Sequence, residues 1–111
     1  MSAPAKPDLI ALFTTVATRD DARRIARELV ERGLVACAQL SDIESIYRWQ
    51  GATQQEPEVR LMLKTTTDRY AAVEAAIRTL HPYELPAIHA FPVSAASADY
   101  ADWVRQNTET E

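Results

Sequence analysis

The apolar residues of this chain change their spacing in a fixed order, and that order limits the folds open to it. LIALFTTV, residues 9–16, is a continuous apolar and β-branched run that suits a buried strand, and TRDDARRIARELVERG behind it takes the 3.6-residue period of a helix. On that helix Ala22, Ile25, Ala26, Leu29 and Val30 share one face. Thr18 is placed to cap its start with Asp21 three residues on, and Gly33 supplies a left-handed stop. LVACAQLSDIESIYRWQG is long for one strand, so a bend or bulge is expected at Ser41 and Asp42. Gly51 and the polar ATQQEP that follows suggest a hairpin loop. EVRLMLKT returns to a period of two, with Val59, Leu61 and Leu63 on one side and Arg60, Met62 and Lys64 on the other. TTDRYAAVEAAIRTL is a second amphipathic helix, capped near Thr67 or Asp68, with Tyr70, Val73, Ile77 and Leu80 inward. Pro82 keeps His81 out of helical geometry and ends it there. ELPAIHAFPV runs extended, with Pro86 and Pro92 confining it to an edge or to bulged positions. A last helix in SADYADWVRQNT packs Tyr100, Trp103 and Val104.

The order is β-α-β-β-α-β with an additional C-terminal helix. It predicts an α+β fold of the ferredoxin-like split βαβ type, with both main helices on one face of an antiparallel sheet. Residues 9–106 form this one domain, between a flexible tail at 1–8 and a fraying tail at 107–111. In a monomer the second face of such a sheet alternates toward polar residues. Here it does not. Leu34, Ala36, Ala38 and Leu40 fall on one side of their strand and Val35 and Cys37 on the other, while Met62 and Phe91 add apolar bulk in later strands. The chain has too few helices to cover both faces, so it is expected to associate with copies of itself. Tyr47, Arg48 and Trp49 are residue types enriched at interface centres, although the two aromatics would also suit a small domain's core.

Composition removes several function classes. A net charge of -4 over 111 residues offers no excess of positive charge for nucleic acid or an anionic membrane. With Gly33 and Gly51 the only glycines, neither a Walker loop nor a dinucleotide fingerprint can be written. No G-x-S-x-G, H-E-x-x-H or C-x-x-C occurs, and no catalytic activity is expected. The single cysteine, Cys37, cannot close an internal disulfide, and LIALF is too short to span a bilayer, so a cytoplasmic protein is expected.

Taken in order, LVACAQL, SIYRWQG, LKTT, HPYELPAI and YADW resemble the CutA divalent-cation tolerance family, over about Leu9 to Arg105. The resemblance implies a ferredoxin-like subunit in a tight homotrimer with strands paired between subunits. It also implies a role in tolerance of copper and other divalent metals without an established catalytic activity. The family's motif histidine falls on His81 and its strand cysteine on Cys37, which makes these two the candidate ligands for a divalent metal such as Cu(II); no cofactor is obligatory. Thr14 and Leu80 stand where some members carry a further cysteine and histidine, and Gln50 and Gln39 replace a usual acidic residue and a usual asparagine.

Two roles are open to His81: a metal ligand, or a helix-terminal residue whose partial positive charge suits the helix dipole. Cys37 has no cationic neighbour in sequence to activate it and also reads as a small buried hydrophobe. His89, beside Ile88, is expected to be structural. A second candidate site is a small-ligand or partner cleft at a subunit boundary, built from Trp49, Lys64, Tyr83 and Glu84: two aromatic walls, a cation and a carboxylate. The alternative for these residues is a Lys64–Glu84 ion pair that seals an interface.

Overall fold

The alternation of periods becomes alternating elements. The computed structural model describes residues 6–108. It contains β1 (Leu9–Val16), α1 (Arg19–Glu31), β2 (Cys37–Trp49), β3 (Ala52–Thr66), α2 (Tyr70–Leu80), β4 (His89–Pro92) and α3 (Ala98–Gln106). One antiparallel sheet has the strand order β2-β3-β1-β4. β3 therefore separates β1 from β2, and β1 separates β3 from β4, which is the split βαβ arrangement.

α1 and α2 cover one face. Leu12 and Val16 of β1 and Val59, Leu61 and Leu63 of β3 meet Ile25 and Leu29 of α1 and Val73 and Ile77 of α2 in one buried core. α3 lies on the opposite face, where Ala101 and Val104 bury Leu9 and Ala36. Thr18 caps α1 as expected, its Oγ1 accepting from the Asp21 amide at 3.1 Å. Gly33 takes φ +69° and releases the chain toward β2. β4 pairs only with β1, the edge position that its prolines require. Among the described residues no helix is long and apolar enough to cross a membrane.

The hairpin departs from expectation. No bulge interrupts β2 at Ser41 and Asp42, because the register runs unbroken from Cys37 opposite Lys64 to Trp49 opposite Ala52. ATQQEP is strand, not loop. The reversal takes only Gln50 and Gly51, whose φ values of +51° and +81° are the paired positive angles of the turn that matches strand twist. β1 reaches only Val59 of β3, so residues 43–49 and 52–58 continue as a two-stranded ribbon. The molecule is consequently 57 Å long and only 25 by 21 Å across. Beyond Glu58, which Tyr83 covers, the ribbon has no third strand and leaves both faces largely open, and its sequence carries no clean period of two.

Smaller differences have local causes. β2 starts only at Cys37, so the residues before it do not alternate: Leu34 and Val35 both enter the main core and Ala36 lies under α3. Val30 falls off the edge of the buried face of α1 and is exposed. α2 is preceded by a 3-10 turn (Thr67–Arg69) and has no side-chain cap. Of the three residues expected to pack α3, only Val104 is buried. Tyr100 and Trp103 stack on each other at the surface, ring centres 5.9 Å apart.

At the tails, residues 6–8 are held to the body. Lys6 pairs with Asp102, the Pro7 carbonyl accepts from Arg105 Nε at 2.9 Å, and the Asp8 carbonyl accepts from the Thr67 amide at 2.9 Å. Thr108 is buried, its Oγ1 donating to the Val104 carbonyl. The rest of both predicted tails, 1–5 and 109–111, lies outside the described residues.

Beyond α3 the second sheet face is bare and aromatic. Phe13 stacks on His89 at 5.5 Å and meets Phe91 edge-on at 5.8 Å, with the Arg60 guanidinium 5.7 Å from the centre of the Phe13 ring. Phe91 is 58% exposed.

Candidate functional site

Where the ribbon leaves the sheet it forms one wall of an open groove of about 870 Å³. The end of β1 at Thr15 and Ala17 and the turn at 83–87 close the other side. The hairpin register puts Tyr47, Trp49, Glu56 and Glu58 on one face of the ribbon. Tyr83 reaches across and donates its hydroxyl to Glu58 Oε2 at 2.8 Å, while Tyr47 donates its own to Glu56. Burial pushes the Tyr83 phenol far above its ordinary range, reinforced by the bond to Glu58 and by that residue's charge. Tyr47 moves the same way, led by its bond to Glu56. Both phenols stay protonated, and each spends its hydrogen on a carboxylate. Glu84 also lines the groove, while Glu44 and Arg48 at its edge alternate to the other face of the ribbon, where Glu44 accepts from Gln55 Nε2 at 3.2 Å, so the charge facing the groove is that of Glu56, Glu58 and Glu84.

His81 fixes the turn that carries Tyr83. Its amide bonds the Ile77 carbonyl and ends α2, with φ and ψ already extended because Pro82 follows. Its Nδ1 accepts from the Tyr83 amide at 3.1 Å, which leaves the proton on Nε2 to donate to the Thr15 carbonyl at 2.8 Å. Burial lowers the pKa of this ring, opposed by the Thr15 bond. The ring is thus held neutral and is not the cation at a helix end that the dipole argument favours. Both nitrogens are engaged, and a metal would have to displace one of these bonds.

Trp49, Tyr83 and Glu84 come together in the groove. Lys64 does not join them. It pairs with Cys37 and Ala11, twelve residues along β3 from the partner of Trp49, a separation of about 40 Å at about 3.3 Å per residue. It therefore cannot seal an interface by pairing with Glu84 of its own chain. Cys37 lies at the same far end, its Sγ 3.9 Å from the Tyr100 hydroxyl. His81 docks on Thr15, opposite Arg60, so along β3 the two candidate metal ligands are about 13 Å apart before the other dimensions are added. Among the described residues no three His, Cys, Asp or Glu side chains converge as a metal site. One chain alone does not present a fitting donor set. Tyr47, Glu56 and Glu58 were missed from sequence because recognising them requires the two-residue turn; Gln50–Gly51 was the available signal.

The model for the CutA1 divalent ion tolerance protein family matches residues 10–107, from the first strand through the last helix. The chain belongs to the CutA1 divalent ion tolerance protein family. The divalent-cation tolerance protein CutA of Thermus thermophilus is 41% identical over 98 residues, which is 87% of this chain and 95% of that protein. Protein CutA of Homo sapiens is 40% identical over 101 residues, 90% of this chain but 56% of its own length. The crystal structure of the divalent ion tolerance protein CutA1 from Ehrlichia chaffeensis superposes with a TM-score of 0.89 at 34% identity, covering 96% of this chain and 100% of that one. The CutA1 match spans the groove, the His81 turn and the bare aromatic face alike.

Proposed function

We propose that this chain serves divalent-cation tolerance as a homotrimer that binds ions such as Cu(II) where subunits meet, and that its role is binding and not catalysis. Membership of a tolerance family supports the cation half. The observation that carries the quaternary half is the ribbon: a long two-stranded hairpin has marginal stability alone, and here it projects beside a sheet face that exposes Phe91. Copies that pack around an axis supply the missing cover for both. They also answer the scattered donor set, since a ligand near a three-fold axis recurs three times and a cleft residue meets its neighbour's. Light scattering is expected to give about three times the 12.4 kDa chain mass. Calorimetry on that species is expected to show saturable Cu(II) uptake. A stable single-chain mass removes the trimer, and a trimer that takes up no micromolar copper removes the metal.

The groove favours a second reading, a trimeric regulatory or assembly module that holds a small metabolite or a partner protein at clefts between subunits. Its volume falls in the range of about 300–1,000 Å³ usual for small-ligand sites, far beyond what one ion fills.

A further inference from the structure

We infer that where copies of this chain meet, Lys64 of one copy enters the groove of the next and pairs with Glu84 there. This pairing rests on the trimer proposed above and names the residue that a neighbour adds to each groove.

Cross-strand partners share a face of the sheet, and the register of β2 on β3 is unbroken, so Lys64 and Cys37 lie on the same face as Glu58, Glu56, Tyr47 and Trp49. Phe13 and Phe91 belong to that face through β1 and β4. Its two ends differ in charge. At the ribbon end the groove holds Glu56, Glu58 and Glu84, and at the other end stands Lys64, with Arg60 between them turned over the Phe13 ring.

Two of these groups are unspent. Glu58 accepts from Tyr83 and Glu56 from Tyr47, whereas Glu84 has no hydrogen-bond or ion-pair partner among the described residues. Nor has Lys64, although it is half-buried, and an ammonium withdrawn from water without a counter-charge costs free energy. They cannot meet within one chain. Tyr83, next to Glu84, is bonded to Glu58, and Glu58 lies about 20 Å from Lys64 along β3 at about 3.3 Å per residue, beyond the reach of a lysine side chain.

An acidic patch and a basic patch set apart on one molecule suit a head-to-tail contact, in which each copy offers one surface and receives the other, and such contacts close into rings. Both patches also carry aromatic rings that their own chain leaves open. Tyr47 and Trp49 are 39% and 38% exposed at the ribbon. The stacked Tyr100 and Trp103 are 38% and 43% exposed at the Lys64 end, where the Tyr100 hydroxyl lies 3.9 Å from Cys37 Sγ. Docking one end on the other covers both pairs of rings, and the opposite charges fix the register of the copies. The same contact completes the cleft expected from sequence, with Trp49, Tyr83 and Glu84 from one copy and Lys64 from the next.

Charge reversal tests the pair. The full chain is sedimented at stepwise dilution, with circular dichroism to follow the fold, and the parent is expected at about three times 12.4 kDa. Lys64→Glu and Glu84→Lys are each expected to raise the concentration at which the trimer falls apart, by on the order of a hundredfold. The double variant is expected to return it to within about tenfold of the parent. A double variant that dissociates like the singles, or singles that dissociate like the parent, overturns the inference and leaves the trimer standing. A parent that sediments as a single chain overturns the trimer and this pair with it. Should Lys64→Glu fail to fold, Lys64→Gln, Glu84→Gln and their double replace the set: losses that do not add are expected of groups in contact, and losses that add overturn the inference.

Discussion

At the scale of single residues, two buried polar groups set testable terms. Thr14 is 1% exposed on the helix-covered side of β1, and its hydroxyl has no hydrogen-bond partner. Unpaired buried hydroxyls cost free energy that an apolar replacement of similar shape restores. Thr14→Val is therefore expected to stabilise the fold by about 1 kcal/mol, read as a higher urea midpoint at unchanged slope. His81 behaves oppositely because both its nitrogens are used. His81→Ala leaves the Thr15 carbonyl and the Tyr83 amide without their partner and is expected to cost about 1–3 kcal/mol. The pH dependence follows from burial. The folded-state pKa lies below the ordinary 6.5, so the unfolded chain binds the proton more readily. Stability contributed by the neutral ring is present above that ordinary value and is lost as pH falls through the folded one. Urea midpoints taken from neutral pH downward are expected to fall in the parent and to fall less steeply in His81→Gln. The proline after His81 made the helix end visible in sequence. The Thr15 bond was not visible, because it joins positions 66 residues apart.

At the scale of elements, what the sequence disclosed depends on whether a segment has a covered face. β1, α1, the sheet half of β3 and α2 each press one side into the core, and their periods of 2 and 3.6 could be found by inspection. The outer halves of β2 and β3 have no such side, so ATQQEP looked like loop and the turn was placed too late. The register also bears on the candidate cleft. Trp49, Tyr83 and Glu84 line one groove of the single chain, whereas the register carries Lys64 to the opposite end of β3, so a cleft that joins all four has to draw its Lys64 from a neighbouring copy. The turn itself yields a prediction. Gln50 holds φ +51°, a left-handed angle that costs a side chain with a Cβ roughly 1–2 kcal/mol, and asparagine tolerates it best among the non-glycine residues. Gln50→Asn is expected to raise the melting temperature by a few degrees. Gly51→Ala is expected to lower it, although a Cβ there meets nothing within 4 Å, since φ +81° alone supplies the strain. An unchanged melting temperature in both variants would show that the ribbon is held by something other than its turn.

At the scale of the whole molecule, the open sheet face decides how the chain behaves in solution. Phe13, His89 and Phe91 form a ring cluster that α3 leaves uncovered, continuous with Met62 across the register from Phe13. The proposed trimer requires this surface to become dry. A charge placed in it should then be far more harmful to assembly than to the fold, because Phe91 lies outside both buried clusters of the single chain. Phe91→Glu is expected to shift the mass toward the single chain while circular dichroism keeps its helix and strand signal. The melting temperature of the parent is expected to rise with protein concentration, and that of the variant to lose this dependence. Val30→Glu supplies the matched control, since Val30 is 41% exposed on α1 and remote from the aromatic face. Should both substitutions leave the mass unchanged, the aromatic face is not where copies meet, and the ribbon must find its cover elsewhere. Should both reduce it, α1 belongs to the interface, and the packing runs around the helical side of the sheet.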